Sequence, residues 1–475
     1  MQLEIKNEEQ RLVVNEITKR IKNTKWEDKV YLDGEYVRNT ILGIQTNTLS
    51  IVVEAPKAYA EFSEWLCKEL NCYINQENPA ISNNLGMSFF TLDTLSKGND
   101  VLIQCTQTQS GLEKVDNAMA EHTIYSTLHG DALDKDATID TVYAKLSNLE
   151  LFNPSAKKWG MVDLFERKVI SLNGLTSYAI KEDPTRILRL AYLSAVTNWG
   201  IDTKTWLLMV ENAHLLLNTP QQAITNCLNK ILALPTPSVA LRILRHCGAL
   251  HVILPHIANM IGCEQGPAHF GDVFDHTMRV VDTVRNTPVL RWAALLHDVA
   301  KPFTRVVENG KIKFPNHDSV GCYFVKSVLP SMKFQETTVD QIGRIIHQHM
   351  AFKKNGNVLP SNKQIKKFIS AVGVANLTLA LELMHADNMA HAEGHQRKEL
   401  VPYVMGVIRK MQNDVKEANA NKALPVNGSD IITWFKIKAG PEVGKLLSVA
   451  REIYSKQPTL TKNKLLLEIQ KEVSA

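Results

Sequence analysis

Residues Leu295–Lys301 read LLHDVAK, which places a histidine and an aspartate side by side at the end of an apolar run that starts at Trp292. Such a run is typical of a buried segment, and an ionised carboxylate that is buried without a partner is costly. A bound cation would remove that cost. We therefore interpret His297 and Asp298 as candidate metal ligands.

Further histidines and one aspartate flank this pair on both sides along the chain. Imidazole nitrogens and carboxylate oxygens together suit borderline divalent ions such as Mn, Fe, Co, Ni or Zn better than Ca, and enough of them can hold two ions. A metal there would lower the pKa of its bound water and polarise a phosphoryl oxygen. The flanking residues of this kind are His276, His317, His347, His349 and Asp387.

The order His, His-Asp, His, His, Asp across helical segments resembles the HD phosphohydrolase superfamily. The resemblance implies a divalent metal cofactor (Mn, Ni, Co, Fe or Mg), with one or two ions bound. It also puts Lys301 close by for phosphate, so that His297, Asp298 and Lys301 are the candidate catalytic residues. A structural remnant that binds no metal is the alternative. The ligands that the resemblance implies are His276, His297, Asp298 and Asp387 for the first ion, and His317 with His349 (or His347) for the second.

Length, composition and charge limit the classes of protein to which the chain can belong. With 475 residues and 44% hydrophobic residues, the chain is too long for one core and ordinary for a globular protein. It has no long apolar run and no apolar signal core at its N-terminus, so we expect a cytoplasmic protein with no membrane partner. Seven cysteines without a CxxC pair fit a reducing compartment. The formal charge of +5 permits nucleic-acid binding without demanding it.

The N-terminal third alternates predicted helix and strand. Helical periodicity covers residues 8–23, and strands are predicted at Val30–Leu32, Thr48–Glu54 and Val101–Cys105. After the first strand, Gly34 lies in a turn that leads into a helical segment. Backbone N–H groups in such a turn can approach a triphosphate. A turn of this kind alone does not define a nucleotide site.

The whole stretch nevertheless resembles the head of the class II tRNA nucleotidyltransferase and poly(A) polymerase family. That family reads Gly-Gly-x-Val-Arg-Asp, then Leu-Gly, then Asp-x-Asp on a strand. Gly34 and Arg38 keep the pattern and are the candidate nucleotide-binding residues of the head. The second glycine of the motif is Glu35 here, and the acid after the arginine is Asn39.

The remaining departures fall on the carboxylates that the family uses for catalysis. The two strand positions are Thr48 and Ser50, and the third carboxylate is replaced by Gln104. Nucleotidyl transfer needs several carboxylates to hold two magnesium ions, and neutral hydroxyls and an amide cannot balance that charge. Glu54 shares the face of Ser50, but four residues along a strand is roughly 13 Å. We therefore expect the head to keep its fold and to have lost its catalysis.

The resemblance continues into the helical part of the chain. Residues Lys181–Leu190 contain an element like the family's Glu-Asp-x-x-Arg, in which Asp183 and Arg186 match the pair that reads the Watson–Crick edge of CTP or ATP. The structural alternative is a helix start, with Asp183 as the N-cap and Pro184 in the first turn. Helical periodicity then runs from Thr205 to Ile257, which in the family carries the tRNA.

The periodicity and the two resemblances together imply an α/β fold class for the N-terminus, a nucleotidyltransferase-like head with a mixed sheet, followed by an all-α body that contains an HD-type helical domain. We expect four domains. They are a degenerate head at residues 1–165, a helical neck and body that bind RNA at 166–262, an HD domain at 263–415 and a helical tail at 416–475.

Three functions are compatible with the sequence. The first is a metal-dependent phosphohydrolase or phosphodiesterase that acts on a nucleotide or an RNA end, because every head carboxylate is replaced while every HD ligand position is filled. The alternative is a working CCA-adding tRNA nucleotidyltransferase, for which the alignment at Thr48 would have to be wrong or a partner chain would have to supply carboxylates. The third is a non-catalytic tRNA-binding subunit. The expected partners are RNA, tRNA first, a nucleotide or phosphate-ester substrate, and a homo- or hetero-oligomer with an active nucleotidyltransferase.

Overall fold

The computed structural model describes residues 1–46, 48–54, 58–70, 73–74, 87–93, 100–107, 111–114, 121–124, 127–155, 158–174, 177–353, 358–457 and 459–474. The chain forms two compact units. The first contains Met1–His349 with Ala390–Ala392, and the second contains Met350–Met389 with Glu393–Ala475. The range 263–415, predicted as one HD domain, therefore contributes residues to both units, and the four predicted domains stay a prediction.

A seven-stranded mixed sheet organises the head. Seven of the nine described strands of the head form this sheet. In chain order the nine strands are β1 (Val30–Leu32), β2 (Thr48–Val53), β3 (Tyr73–Ile74), β4 (Met87–Asp93), β5 (Asp100–Gln107), β6 (Gly111–Lys114), β7 (Glu121–Ile124), β8 (Tyr143–Lys145) and β9 (Leu151–Phe152). The sheet order is β3-β4-β5-β2-β1-β8-β9, while β6 and β7 form a separate hairpin. The pair β2 and β5 is parallel, and the other neighbours are antiparallel. The three predicted strands are confirmed.

Helices of the head pack on this sheet through their apolar faces. The helix Glu8–Ile21 starts where the Asn7 side chain accepts a hydrogen bond from the Gln10 N–H, which satisfies one of the open donors of the first turn. Its residues Val13 and Ile17 are buried, so the helix predicted at 8–23 is confirmed. The other helices of the head are Gly34–Leu42, Ala58–Leu70, Leu128–Asp134 and Trp159–Val162, with a 3₁₀ turn at Thr138–Thr141 and a π turn at Asp163–Arg167.

The neck is helical, as its periodicity predicts, but one helix starts later than expected. The helix Arg186–Thr197 has Thr185 as its N-cap, and the Asp183 carboxylate accepts from the Thr185 N–H at 3.0 Å. Asp183 and Pro184 therefore belong to a turn before the helix. The remaining neck helices are Ser177–Glu182, Thr203–Asn212, Gln221–Leu232, Pro237–His246, Ala249–Ile253 and Pro255–Ala258, with a 3₁₀ segment at Ala213–Asn218.

Five helices and a hairpin complete the first unit. The hairpin consists of β10 (Val306–Glu308) and β11 (Lys311–Lys313), and its strands are mostly exposed. The helices pack around buried aromatic and aliphatic side chains that include Phe274 and Trp292. The helices are Val273–Thr283, Pro288–Leu296, Lys301–Thr304, His317–Val328 and Glu336–Gln348.

The second unit is helical throughout its described part. Ser361 and Asn427 each form a capping box at the start of a helix, an arrangement that satisfies two open N–H groups at once. No single described helix is long and apolar enough to cross a membrane, although Asn362–Val372 and Val374–Met389, joined at a 97° bend, meet the length and composition test as a pair. The helices are Asn362–Val372, Leu377–Met389, Leu400–Ala423, Gly428–Phe435, Pro441–Lys456 and Lys462–Ser474, with a 3₁₀ turn at Val374–Asn376.

Candidate metal centre and candidate head site

Four helices of the first unit bring buried histidines to one carboxylate. The helix Val273–Thr283 carries one histidine on its buried face, and the helix Pro288–Leu296 ends directly before the His-Asp pair. A third histidine opens the helix His317–Val328, and a fourth follows the helix Glu336–Gln348. The converging side chains, each at most 4% exposed, are His276, His297, Asp298, His317 and His349.

The two oxygens of the Asp298 carboxylate face two different pairs of imidazoles. Its Oδ2 lies 3.1 Å from the Nε2 of His297 and 3.7 Å from the Nε2 of His276. Its Oδ1 lies 3.4 Å from the Nε2 of His317 and 3.7 Å from the Nε2 of His349. A carboxylate placed in this way can bridge two cations. Of the two alternatives for the last histidine, His347 is exposed and His349 is in the cluster.

The opposite nitrogens of three of these rings are held by main-chain carbonyls. The Nδ1 of His297 lies 2.7 Å from the Ala294 carbonyl, and the Nδ1 of His349 lies 2.6 Å from the Ile346 carbonyl. The Nδ1 of His317 has the same kind of contact at 2.8 Å. A carbonyl at Nδ1 fixes the proton there and leaves the Nε2 lone pair for a metal. The donor set therefore fits divalent metal.

The protonation states agree with metal binding. Burial lowers the pKa of His317 to about 4, so its ring is neutral at neutral pH, as a ligand must be. Burial opposes ionisation of Asp298, but the neighbouring His297 and Lys301 outweigh it and hold its pKa well below the usual range. The Lys301 ammonium lies 2.7 Å from Asp298 Oδ2 and 2.7 Å from the side-chain oxygen of Gln265. Lys301 therefore contacts the carboxylate of the cluster directly.

Two further histidines, which the sequence patterns did not select, adjoin the cluster. The ring centroid of His269 lies 5.1 Å from that of His276, and the centroid of His391 lies 5.5 Å from it. An isolated β-bridge joins the two segments that carry them, and no local motif indicates such a contact. Asp387 is buried on the helix Leu377–Met389 of the second unit, and its role as a metal ligand stays a prediction.

The head places the replaced carboxylate positions on adjacent parallel strands. Ser50 on β2 pairs in register with Gln104 on β5, and Thr48 pairs with Leu102. The side chain of Gln104 lies outside the described part. The Glu54 carboxylate is engaged within the head, because it accepts from the Leu128 N–H at 3.0 Å and from the Tyr31 hydroxyl at 3.2 Å.

Gly34 and Arg38, predicted as nucleotide contacts, have packing roles in the head. A Cβ atom at Gly34 would lie 1.7 Å from the carbonyl oxygen of Asp140, so the close approach of the two backbones requires glycine there. The Arg38 guanidinium is buried, pairs with the Asp140 carboxylate and donates to Asn39 Oδ1 at 2.8 Å. Both residues are thus committed to holding the helix Gly34–Leu42 against the 3₁₀ turn.

Asp183 and Arg186 also make contacts within the protein. Asp183 forms an ion pair with Arg189 at 2.8 Å. Arg186 is buried and donates to the carbonyls of Asp134 and Lys135, each at 3.2 Å. A cavity of about 80 Å³ lies nearby, but it is lined by Arg189 and neighbours of mixed charge. Nucleotide reading by this pair stays a prediction.

Two family profiles match consecutive parts of the chain. Residues 199–261 match the probable RNA and SrmB-binding site of polymerase A, and residues 268–390 match the HD domain. A CC-adding tRNA nucleotidyltransferase of Thermus thermophilus is 26% identical over 283 residues, which cover 57% of this chain and 62% of that protein. The chain is thus similar to tRNA nucleotidyltransferases, with an RNA-binding region followed by an HD domain.

Further tRNA nucleotidyltransferases and CCA proteins match over different lengths. An A-adding tRNA nucleotidyltransferase of Deinococcus radiodurans is 26% identical over 68% of this chain and 75% of that protein. A multifunctional CCA protein of Methylococcus capsulatus is 33% identical over 38% of this chain and 42% of that protein. The chain spans less than two thirds of the Thermus relative, at 62% of its length.

Two solved structures of tRNA-processing enzymes share the fold at low identity. A tRNA-processing enzyme in an apo form gives a TM-score of 0.58 at 16% identity and covers 95% of this chain and 99% of its own. A CCA-adding enzyme of Bacillus stearothermophilus in complex with CTP gives 0.55 at 17% identity and covers 98% of both chains. At these identities the likeness concerns the fold alone, and it confirms a nucleotidyltransferase-like head followed by a helical body with an HD domain.

Proposed function

We propose that the protein acts on RNA ends, with tRNA as the macromolecular partner and metal-dependent phosphoester hydrolysis at the HD centre as its chemistry. The relatives support the tRNA part, because they are named CC-adding, A-adding and multifunctional CCA proteins. One observation supports the proposed hydrolysis of a phosphoester. Each oxygen of the buried Asp298 carboxylate faces two histidine Nε2 atoms, within 3.7 Å for every pair.

The residues of the centre have separable tasks in this proposal. Divalent ions bound there would supply an activated water at neutral pH and neutralise charge on the phosphoryl oxygens. Asp298 and the four histidines would hold those ions, and carbonyl contacts at Nδ1 fix the orientation of three of the rings, those of His297, His317 and His349. Lys301, held by Asp298 and Gln265, brings a fixed positive charge to the same place. Such a preorganised charge stabilises an anionic transition state more than water does.

Nucleotide addition to tRNA is the second candidate function. The relatives are named for nucleotide addition, so the similarity to them alone favours this function over hydrolysis. The residues of the head argue against it, because Thr48 and Ser50 replace the two strand carboxylates. Asp33 is a possible substitute, since its N–H donates to the Ser50 carbonyl at 3.0 Å. Its carboxylate pairs with Lys135 at 2.6 Å, and it would have to give up that partner to bind magnesium.

Two assays on one preparation separate the candidates. The first follows opening of a 2′,3′-cyclic phosphate at the end of a tRNA with Mn²⁺, Ni²⁺ or Mg²⁺, for the natural chain and Asp298→Asn. The second follows incorporation of labelled CTP and ATP into tRNA that lacks its CCA end, for the natural chain and Asp33→Asn. We expect hydrolysis that Asp298→Asn abolishes, and no incorporation. Incorporation that Asp33→Asn abolishes would instead support nucleotide addition, and failure of both assays would leave a tRNA-binding subunit.

A further inference from the structure

The loop of residues 259–272, at the edge of the HD centre, is held by contacts on both of its sides. Gln265 in this loop contacts Lys301, and its side-chain nitrogen donates to the Asp272 carbonyl at 3.1 Å. The Ala268 carbonyl accepts from the Ala392 N–H at 2.8 Å. The residues between these contacts therefore have a defined position beside the metal-ligand cluster.

The tip of this loop presents an exposed aromatic ring next to a cation. Phe270 is 46% exposed, and the Arg279 guanidinium carbon lies 4.7 Å from the centroid of its ring. The preceding residue, His269, has its ring 5.1 Å from that of His276, one of the candidate ligands. The exposed ring thus belongs to the residue directly after one whose ring packs against a candidate ligand.

We infer that Phe270 and Arg279 form a base-stacking subsite of the HD centre, which selects phosphoesters that carry a nucleobase at the cleaved end. Any nucleobase can stack on an aromatic side chain. An arginine over the ring adds a cation–π contribution and a positive charge that attracts phosphate. This inference rests on the proposed hydrolytic function and assigns recognition of the nucleobase to these two side chains.

The kinetic test compares two cyclic phosphodiesters that differ in the base. The substrates are 2′,3′-cyclic AMP and glycerol 1,2-cyclic phosphate, which has the same kind of strained diester and no base. We expect Phe270→Ala to raise KM for the nucleotide by about tenfold relative to the glycerol ester, with little change in kcat, since stacking is worth that order per base. Phe270→Trp should retain the low KM. Tyr323→Ala, which removes another exposed ring of the same unit, is the matched control.

A binding measurement keeps the inference testable when hydrolysis is not observed. The Kd of adenosine 3′-monophosphate for the full chain, measured by calorimetry with Mn²⁺, should rise about tenfold in Phe270→Ala and also rise in Arg279→Ala. If hydrolysis fails but this dependence holds, the subsite stands and the proposed activity does not. If hydrolysis occurs and Phe270→Ala changes KM equally for both diesters, or not at all, the inference is overturned and the proposed activity stands.

Discussion

The Nε2 atoms of His317 and His349 lie 3.3 Å apart, while the Nδ1 atom of each ring contacts a carbonyl in its own chain segment. With both protons on Nδ1, the two Nε2 lone pairs point at each other and at the Asp298 carboxylate. Three acceptors brought together in a buried place repel one another. A cation held by these three groups would replace that repulsion with coordination, so metal binding should stabilise the fold.

Removal of metal is expected to destabilise the protein. A ligand present at 100 times its Kd stabilises the folded state by about 2.7 kcal/mol, so EDTA should lower the melting temperature and added Mn²⁺ should restore it. Asp298→Asn should abolish the response to Mn²⁺. Asp340→Asn is the control, since it removes an exposed carboxylate that pairs with Arg344 at 2.8 Å. An equal response to Mn²⁺ in all three proteins would contradict a site at Asp298.

The two histidines near residue 348 provide a matched pair. His349 is buried in the cluster, whereas His347 is exposed. We expect His349→Ala to lower metal-dependent kcat/KM by at least about 100-fold, the upper range for loss of a supporting group around a metal. His347→Ala should stay within about twofold of the natural chain, well below the loss of about 10-fold or more expected for a group that supports a metal. Steady-state kinetics on a cyclic phosphodiester measure both, and a comparable loss in the two variants would argue against the assignment.

The order of residue types identified the candidate ligands, but it could not choose between His347 and His349. Residues two apart on a helix point in different directions, and the choice depends on which face the helix Glu336–Gln348 buries. His269 and His391 are distant in sequence and meet only through the fold. By sequence, the nucleotide motifs include Gly34, Arg38 and Arg186. Their packing partners lie at residues 134–140, far away along the chain, so the local sequence pattern could not predict these contacts.

Gly34 provides a test of the packing explanation. Its missing Cβ leaves room for the Asp140 carbonyl, so Gly34→Ala should lower the free energy of unfolding by about 3 kcal/mol or more, as for an overpacked core. Gly200→Ala is the control, because nothing lies within 4 Å of its Cβ position. Urea unfolding of both variants measures the difference. A stability of Gly34→Ala equal to that of the control would show that the backbones can separate.

The buried Arg38–Asp140 pair predicts a pH-dependent loss. Arg38→Met leaves the Asp140 carboxylate buried without its cation, which costs about 3–5 kcal/mol. Burial raises the pKa of Asp140 to about 6 even with Arg38 beside it. A carboxyl with a raised folded-state pKa contributes stability when protonated and loses that contribution as the pH rises through the folded pKa.

The destabilisation by Arg38→Met should therefore be larger at pH 8 than at pH 5. Combining Asp140→Asn with Arg38→Met removes the buried carboxylate that has lost its cation. The double variant should therefore be more stable than Arg38→Met at pH 8. Urea unfolding at the two pH values measures both effects. A pH-independent loss in Arg38→Met would mean that Asp140 keeps its charge without the arginine.

Hydrolysis of 2′,3′-cyclic AMP by the natural chain and by His297→Ala/Asp298→Ala, with Mn²⁺, Ni²⁺, Co²⁺ or Mg²⁺ added, tests the central claim most directly. The account predicts turnover that requires a divalent metal and disappears in the double variant, with both proteins folded by circular dichroism. Absence of turnover with every metal, or turnover that survives the double substitution, would contradict it.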